Sequence, residues 1–265
     1  MSDRPFVLVS NDDGYDSAFM RILVDTLCEH YDVCAAVPLR EQSWIGKAVS
    51  RHRDVAVRKD ASFPCDCWVI DGTPTDCVNI ALSHLLSRKP DIVVSGVNIG
   101  YNASLHLITS SGTVSAALEG AFWGLRAIAL SQCVPFEEFA GIVADRSRVN
   151  SRWDRQLRAV GMRTVGFIDS MLSDADRHKK FRPGVVNVNF PVHVDADTLV
   201  DRTYPALARS APLFAEAEVG SGVYRFRYNA GEPVGDNGKS DLNSLEMGRI
   251  SYSTIDYSLF SNGSD

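Results

Sequence analysis

What most restricts the fold is a rhythm in the first half of the chain. Uninterrupted apolar runs of strand length recur as FVLVS (6–10), VCAAV (33–37), WVID (68–71), DIVVS (91–95) and AIALS (127–131). A sheet with one wet face would alternate apolar and polar residues, whereas continuous apolar strands suit a parallel sheet covered on both faces. Helical spacing fills the gaps. Phe19, Ile22, Leu23 and Leu27 share a face, with Asp16 or Ser17 as candidate N-cap, and Val78, Ala81, Leu82 and Leu85 share another. Val114, Ala117, Leu118, Ala121, Phe122 and Leu125 form a third. This βαβα alternation predicts an α/β fold with a doubly wound, mainly parallel open sheet.

The pattern loosens beyond residue 134. Residues 135–182 are more charged, although Trp153, Leu157, Val160, Ile168 and Met171 still suggest helix, weakened by Gly161 and Gly166. VVNVNF (185–190) reads as a late strand of the same sheet. After Pro191, VYRFRY (223–228) and RISYSTI (249–255) alternate like strands on either side of the turn-rich AGEPVGDNGKS. The reading is a core over 1–194 and a β-rich C-terminal extension over 195–265. The extension has too few apolar residues to fold alone and is expected to pack on the core or on a second subunit.

Bulk properties exclude several classes. A formal net charge of −6 argues against a nucleic-acid partner or an anionic membrane. The six cysteines lack paired zinc spacing and read as reduced thiols. MSDRPFVLVS enters a strand directly, without a signal peptide, and no apolar run reaches bilayer length, so the expected location is cytoplasmic with no membrane association.

In an open parallel sheet, ligands bind beyond the carboxyl ends of the strands. Here those ends are crowded with oxygen donors and turn residues. The first strand runs into Asn11-Asp12-Asp13-Gly14, where a dinucleotide fold would carry a glycine fingerprint. Two adjacent carboxylates repel a bare phosphate, but a divalent cation between them and the phosphate inverts the sign, and oxygen ligands suit Mg²⁺, Mn²⁺ or Ca²⁺. A single Asp there would read as a helix cap or a solvated charge; the pair points to a metal. Ser43 and Asn98, from two other strand ends, are neutral oxygen donors that could converge on it. Ser111-Gly112-Thr113 opens the helix near Val114, so its hydroxyls and free N–H groups can hold an anion, cap the helix, or both. Asn102 could reach the same anion. Gly72-Thr73-Pro74-Thr75-Asp76 reads as a capped turn into a helix. The histidines show no H-E-x-x-H spacing, and neither a G-x-S-x-G elbow nor a P-loop lysine motif is present.

Ser10-Asn11-Asp12-Asp13-Gly14, Gly72 to Val78, Val94 to Asn98, and Ser111-Gly112-Thr113 with Glu119-Gly120 together resemble the SurE family, also called survival protein E. The match is close over about residues 6–131. It resumes at Asn187 to Pro191, and is loose over 135–182 and in the tail apart from Ser240-Asp241 and Gly248 to Ser251. The resemblance implies a Rossmann-like core and a 5′/3′-nucleotidase, a phosphomonoesterase acting on nucleoside monophosphates. One divalent ion per subunit, Mg²⁺ or Mn²⁺, would be held at Asp12, Asp13, Ser43 and Asn98. A homodimer or homotetramer with C-terminal segments reaching between subunits is also implied. Asp12 and Asp13 are the candidate catalytic residues, and Asn102, Ser111, Gly112 and Thr113 the candidate phosphate-binding ones. The chain departs from the family pattern at Leu39 and at Trp44-Ile45-Gly46-Lys47. It departs again at Ser110 and in the loop 101–110, which lacks the family's acidic residues. These changes spare the ligand positions and bear on substrate preference. A phosphate or nucleotide sensor without catalysis is the alternative, against which the paired carboxylates argue.

Overall fold

The apolar run at 6–10 sorts its residues onto two faces: Val7 and Val9 enter one buried cluster, Leu8 another. Both are fully apolar surroundings, which is why the run does not alternate. The protein is described by a computed structural model covering residues 4–173, 183–235 and 238–260. In the first half the elements are β1 (Phe6–Ser10), α1 (Ala18–His30), β2 (Asp32–Pro38), β3 (Val57–Lys59), β4 (Asp66–Ile70), α2 (Pro74–Ile80) and β5 (Ile92–Ile99). Then come α3 (Leu105–Ser110), α4 (Gly112–Phe122), β6 (Arg126–Gln132), α5 (Phe136–Ala144), α6 (Ser151–Ser173) and β7 (Gly184–Phe190). The C-terminal part holds β8 (Val200–Arg202), β9 (Ala208–Arg209), β10 (Phe214–Glu216), β11 (Tyr224–Phe226), β12 (Glu232–Pro233), α7 (Asp241–Glu246) and β13 (Ile250–Asp256).

Among the described residues the main sheet has nine strands, in the order β3-β4-β2-β1-β5-β6-β7-β13-β8. Its six central strands, β4 through β7 in that order, are parallel. β3 and β13 join their neighbours β4 and β7 antiparallel. The chain winds outward from β1 to β2 and β4, then returns to β5 on the other side. The crevice at the switch between β1 and β5 is where such sheets bind ligands. α1 and α6 cover one face, burying Phe19, Leu23, Leu27, Trp153, Leu157, Val160 and Ile168. α2 and α4 cover the other, burying Cys77, Val78 and Ala116 against Leu8, Ile70 and Val93.

The α/β doubly wound expectation holds, and the structure sharpens it locally. The helix at 74–85 begins as expected: Pro74 occupies the first turn and Thr73 Oγ1 accepts the Asp76 N–H at 3.1 Å, while Asp76 Oδ2 accepts the Thr73 N–H at 2.9 Å. Ser17 holds the N-cap position of α1 without a side-chain capping bond. Gly161 does not weaken α6: a Cβ there would lie 2.8 Å from Thr26 Oγ1, so the glycine lets α1 and α6 touch. The segment 174–182 lies outside the described residues. Several elements were not foreseen, among them the antiparallel edge strand β3, the helix α3 inside what reads as a loop, and the helix α7 inside the β-rich extension. The sheet also continues past residue 194, since β13 runs antiparallel to β7 over six residues and β8 lies beyond it. The six cysteines stand as free thiols. Among the described residues, no helix is long and apolar enough to cross a membrane.

Candidate active site

β1 delivers Asp12 and Asp13 into the switch-point crevice, each only 3% exposed. Tight local bonding sets the turn: Asn11 Nδ2 donates to the Gly14 carbonyl at 2.8 Å. Each carboxylate has one oxygen engaged from another element. Thr113 Oγ1 donates to Asp12 Oδ1, and the Ile99 N–H donates to Asp13 Oδ2 at 3.0 Å. The positive charge nearby is the Arg146 guanidinium, whose Nε lies 3.7 Å from Asp13 Oδ1. Burial pushes the Asp12 carboxyl up to about 6, against the opposing pull of its bonds from Thr113. Burial, and then the charge on Asp12, push Asp13 well above the usual carboxylate range.

The two neutral donors arrive from neighbouring strand ends. The Gln42 N–H donates to the Asp12 carbonyl at 2.7 Å, which ties the turn carrying Ser43 to the carboxylate pair. Ser43 itself is exposed, and its N–H donates to Glu41 Oε1 at 2.8 Å. Asn98 sits just past a register shift in β5, between Ser95 and Asn98, and is nearly buried. Its Nδ2 donates to the Gly100 carbonyl at 3.1 Å, leaving Oδ1 as the group that can serve a cation.

On the opposite wall α4 begins. Ser111 Oγ accepts the Val114 N–H at 3.1 Å, so Ser111 caps the helix while Thr113 turns to Asp12. Gly112 is required by space: a Cβ there would lie 2.8 Å from Asp12 Cβ and 3.1 Å from the Gln42 carbonyl oxygen. The first turn of α4 is therefore pressed against the carboxylate pair. Asn102 is held by the sheet. Its N–H donates to Asn189 Oδ1 at 2.7 Å, its Nδ2 to Ser131 Oγ at 2.9 Å, and its carbonyl accepts Asn187 Nδ2 at 2.8 Å. Asp12 thus meets Thr113 and Gly112 directly, with Asp13 next to it in the chain, the Ser43 turn tethered to its carbonyl, and Asn98 one residue from the Ile99 N–H that holds Asp13.

Sequence reasoning missed Arg146, which lies between α5 and α6 and is placed by its carbonyl accepting the Ala18 N–H at 2.8 Å. With Asp13, Asp16, Arg40 and Glu41 it lines a cavity of about 270 Å³. It also missed a buried polar network behind α4. Glu119 pairs with Lys47, accepts Asn79 Nδ2 at 2.7 Å and Trp123 Nε1 at 3.1 Å, and sits below the usual glutamate range because these donors outweigh its burial.

Chemically, the crevice offers two buried carboxylates, a side-chain amide oxygen and a hydroxyl. Among the described residues no group of three or more His, Cys, Asp or Glu side chains is placed to hold a metal ion, so any cation here would depend on neutral oxygen donors beside the carboxylate pair. Two adjacent buried carboxylates facing one guanidinium at 3.7 Å are short of positive charge. An all-oxygen set with that deficit fits a hard divalent cation.

The profile of the family described as Survival protein SurE matches residues 7–210. The "5'-nucleotidase SurE" of Methanococcoides burtonii is 31% identical over 266 residues, covering 96% of this chain and 94% of that protein. The protein of the same name from Methanosarcina barkeri is 30% identical over 200 residues, covering 75% and 72%. That from Geobacter metallireducens is 45% identical over 125 residues, covering 47% and 48%. The crystal structure of the SurE protein from Aquifex aeolicus superposes with a TM-score of 0.70 at 24% identity, covering 97% of this chain and all of that one, and so shares its fold. On the profile match and the near full-length relative, this chain belongs to the SurE family.

Proposed function

We propose that this protein is a divalent-metal-dependent phosphomonoesterase that hydrolyses nucleoside 5′- and/or 3′-monophosphates to nucleoside and phosphate. The observation that carries the reading is the buried Asp12–Asp13 pair at the sheet's switch point, with the first turn of α4 pressed against it. The relatives' names support the nucleotidase part of it.

Asp12, Asp13, Asn98 and Ser43 would hold one Mg²⁺ or Mn²⁺ ion. When bound, such an ion supplies Lewis acidity toward a phosphoryl oxygen and lowers the pKa of water. The chain does the rest. The N–H groups of the first turn of α4, that of Thr113 among them, with the hydroxyl of Ser111, receive the non-bridging phosphate oxygens and stabilise them as charge redistributes. Thr113 also fixes the rotamer of Asp12, and the Ile99 N–H fixes that of Asp13. These bonds leave Asp12 Oδ2 and Asp13 Oδ1 for the reaction, and one of the two takes the proton of the attacking water. Asn102, anchored by Ser131 and Asn189, sets the far wall of the phosphate site. A homodimer or homotetramer in the cytoplasm completes the proposal.

The test is phosphate release from a panel of nucleoside monophosphates with Mg²⁺, with Mn²⁺ and with a chelator. Metal-dependent release is expected, reduced at least 100-fold (roughly, from the loss of a preorganised charged group) in Asp12→Asn and Asp13→Asn. No release with either metal would overturn the enzyme reading, and unchanged release in both variants would overturn the site.

A further inference from the structure

Ser43 is followed by Trp44, whose backbone is left-handed at φ 61°, an unusual state for a bulky residue. Its ring is met by three others. The Phe226 ring lies at 5.2 Å and 62°, Tyr228 at 5.9 Å and 54°, and His106 at 6.1 Å and 61°. The Tyr228 and Tyr101 hydroxyls are 3.2 Å apart. The turn is held at the mouth of the phosphate site from both sides: the Gln42 N–H binds the Asp12 carbonyl, and the Gly46 N–H donates to the Ser110 carbonyl at 2.9 Å, just ahead of α4.

These rings come from the segments that carry the site. Trp44 follows Ser43, Tyr101 precedes Asn102, and His106 lies on the helix leading to Ser111. β11 and the residues after it add Phe226 and Tyr228 from the C-terminal extension. The cluster is not a closed core, because Trp44, Phe226 and Tyr228 remain 38%, 45% and 46% exposed. Open aromatic surface beside an oxygen-rich anion site suits a phosphate ester whose other end is flat and aromatic.

We propose that Trp44, with Phe226 and Tyr228 from the tail, forms the stacking wall for the nucleobase, so that the C-terminal extension takes part in substrate selection. This rests on the nucleotidase reading above.

The experiment compares kcat/KM for adenosine 5′-monophosphate with kcat/KM for ribose 5-phosphate, which lacks the base, in the wild type and in Trp44→Ala, Trp44→Phe and Tyr228→Leu. The ratio should fall on the order of 10-fold in Trp44→Ala. The fall should come mainly through KM for the nucleotide, be smaller in Tyr228→Leu, and be largely restored in Trp44→Phe. Nucleotide binding should also quench tryptophan emission in the wild type and much less in Trp44→Phe. An unchanged ratio in Trp44→Ala and Tyr228→Leu, with wild-type quenching retained in Trp44→Phe, would overturn the wall while leaving the nucleotidase reading intact. So would a change in oligomer size with the ratio unchanged, which would place the rings in a subunit contact. A wild type that hydrolyses neither substrate would instead overturn the underlying reading.

Discussion

Asp12 should cost the metal-free protein stability, and the cost can be isolated. Its carboxyl titrates near 6 in the folded chain because it is desolvated, against the usual 3.8. A folded-state acid with a raised pKa binds more protons than the unfolded chain between those values, so its contribution to stability falls as pH rises through that window. At 1.36 kcal/mol per tenfold shift in the proton equilibrium, the penalty at pH 7.5 is about 3 kcal/mol. Asp12→Asn removes the charge while keeping an acceptor for the Thr113 hydroxyl. In chelator, Asp12→Asn and the wild type should therefore unfold alike near pH 4. Between about pH 4 and 6 they should separate, until the variant is more stable by about 3 kcal/mol. For a chain of this size that is a rise in Tm of several degrees, on the order of 2–4 °C per kcal/mol. Saturating Mn²⁺ should reverse the order, because only the wild type retains both carboxylates of the proposed ligand set. The assay is thermal unfolding across pH, read as the difference between the two proteins, so that distant titrating groups cancel and what is left is Asp12 together with its repulsion of Asp13. A wild type that matches or exceeds Asp12→Asn at pH 7.5 in chelator would refute the claim that the bonds from Thr113 offset only part of the cost of burying this carboxylate.

Other substitutions probe the packing around the site. Gly112→Ala should reduce kcat at least 10-fold (roughly, for an ångström-scale misplacement) with the fold kept, because its Cβ would displace Asp12; steady-state kinetics and circular dichroism check both halves. Gly161→Ala sets two effects against each other. Helix propensity favours alanine by about 1 kcal/mol, and overpacking costs about 1–3 kcal/mol. Thr26 is buried and its Oγ1 is bound to the Ile22 carbonyl at 2.9 Å, so it cannot yield, and urea unfolding should show net destabilisation. Asp241→Ala should cost about 2–4 kcal/mol, since Asp241 accepts the Ser104 N–H at 2.8 Å and the Ala206 and Leu242 N–H groups at 2.9 Å; a Tm within one degree of the wild type would contradict it.

The central sheet was legible because parallel strands buried on both faces leave continuous apolar runs, and Asp12 and Asp13 were legible because two carboxylates at such a strand end violate that pattern. α3 was not. It is six residues long, and Thr109 and Ser110 turn their hydroxyls back onto the carbonyls of Leu105 and His106, at 3.0 Å each, so its composition resembles a loop. Arg146 leaves no local signal because its approach to Asp13 is set by a backbone bond to Ala18, far away in sequence. The capping role of Ser111 and the carboxylate role of Thr113 could not be assigned beforehand, since either hydroxyl can cap a helix and only the position of Asp12 decides between them.

The tail shows most clearly what local patterning cannot supply. RISYSTI alternates as an isolated strand would, yet β13 lies between β7 and β8 in the main sheet. Its Ser251 is in register with Asn189, and Asn189 accepts the Asn102 N–H at 2.7 Å. A second connection runs through Asp241, which holds the Ser104 N–H just before α3. Without β13, β7 would become an edge with unpaired backbone groups, and the asparagines that fix Asn102 would sit on it. Residues after 194 therefore bear on the candidate active site by two routes that do not involve the aromatic cluster. One backs the strand that positions the loop of the proposed phosphate site, and the other pins the loop itself. A chain built this way cannot vary β13 or Asp241 freely, because a change there reaches Asn102 through the Asn189 bond or Ser104 through the Asp241 bond, both buried and, if broken, without solvent to replace them.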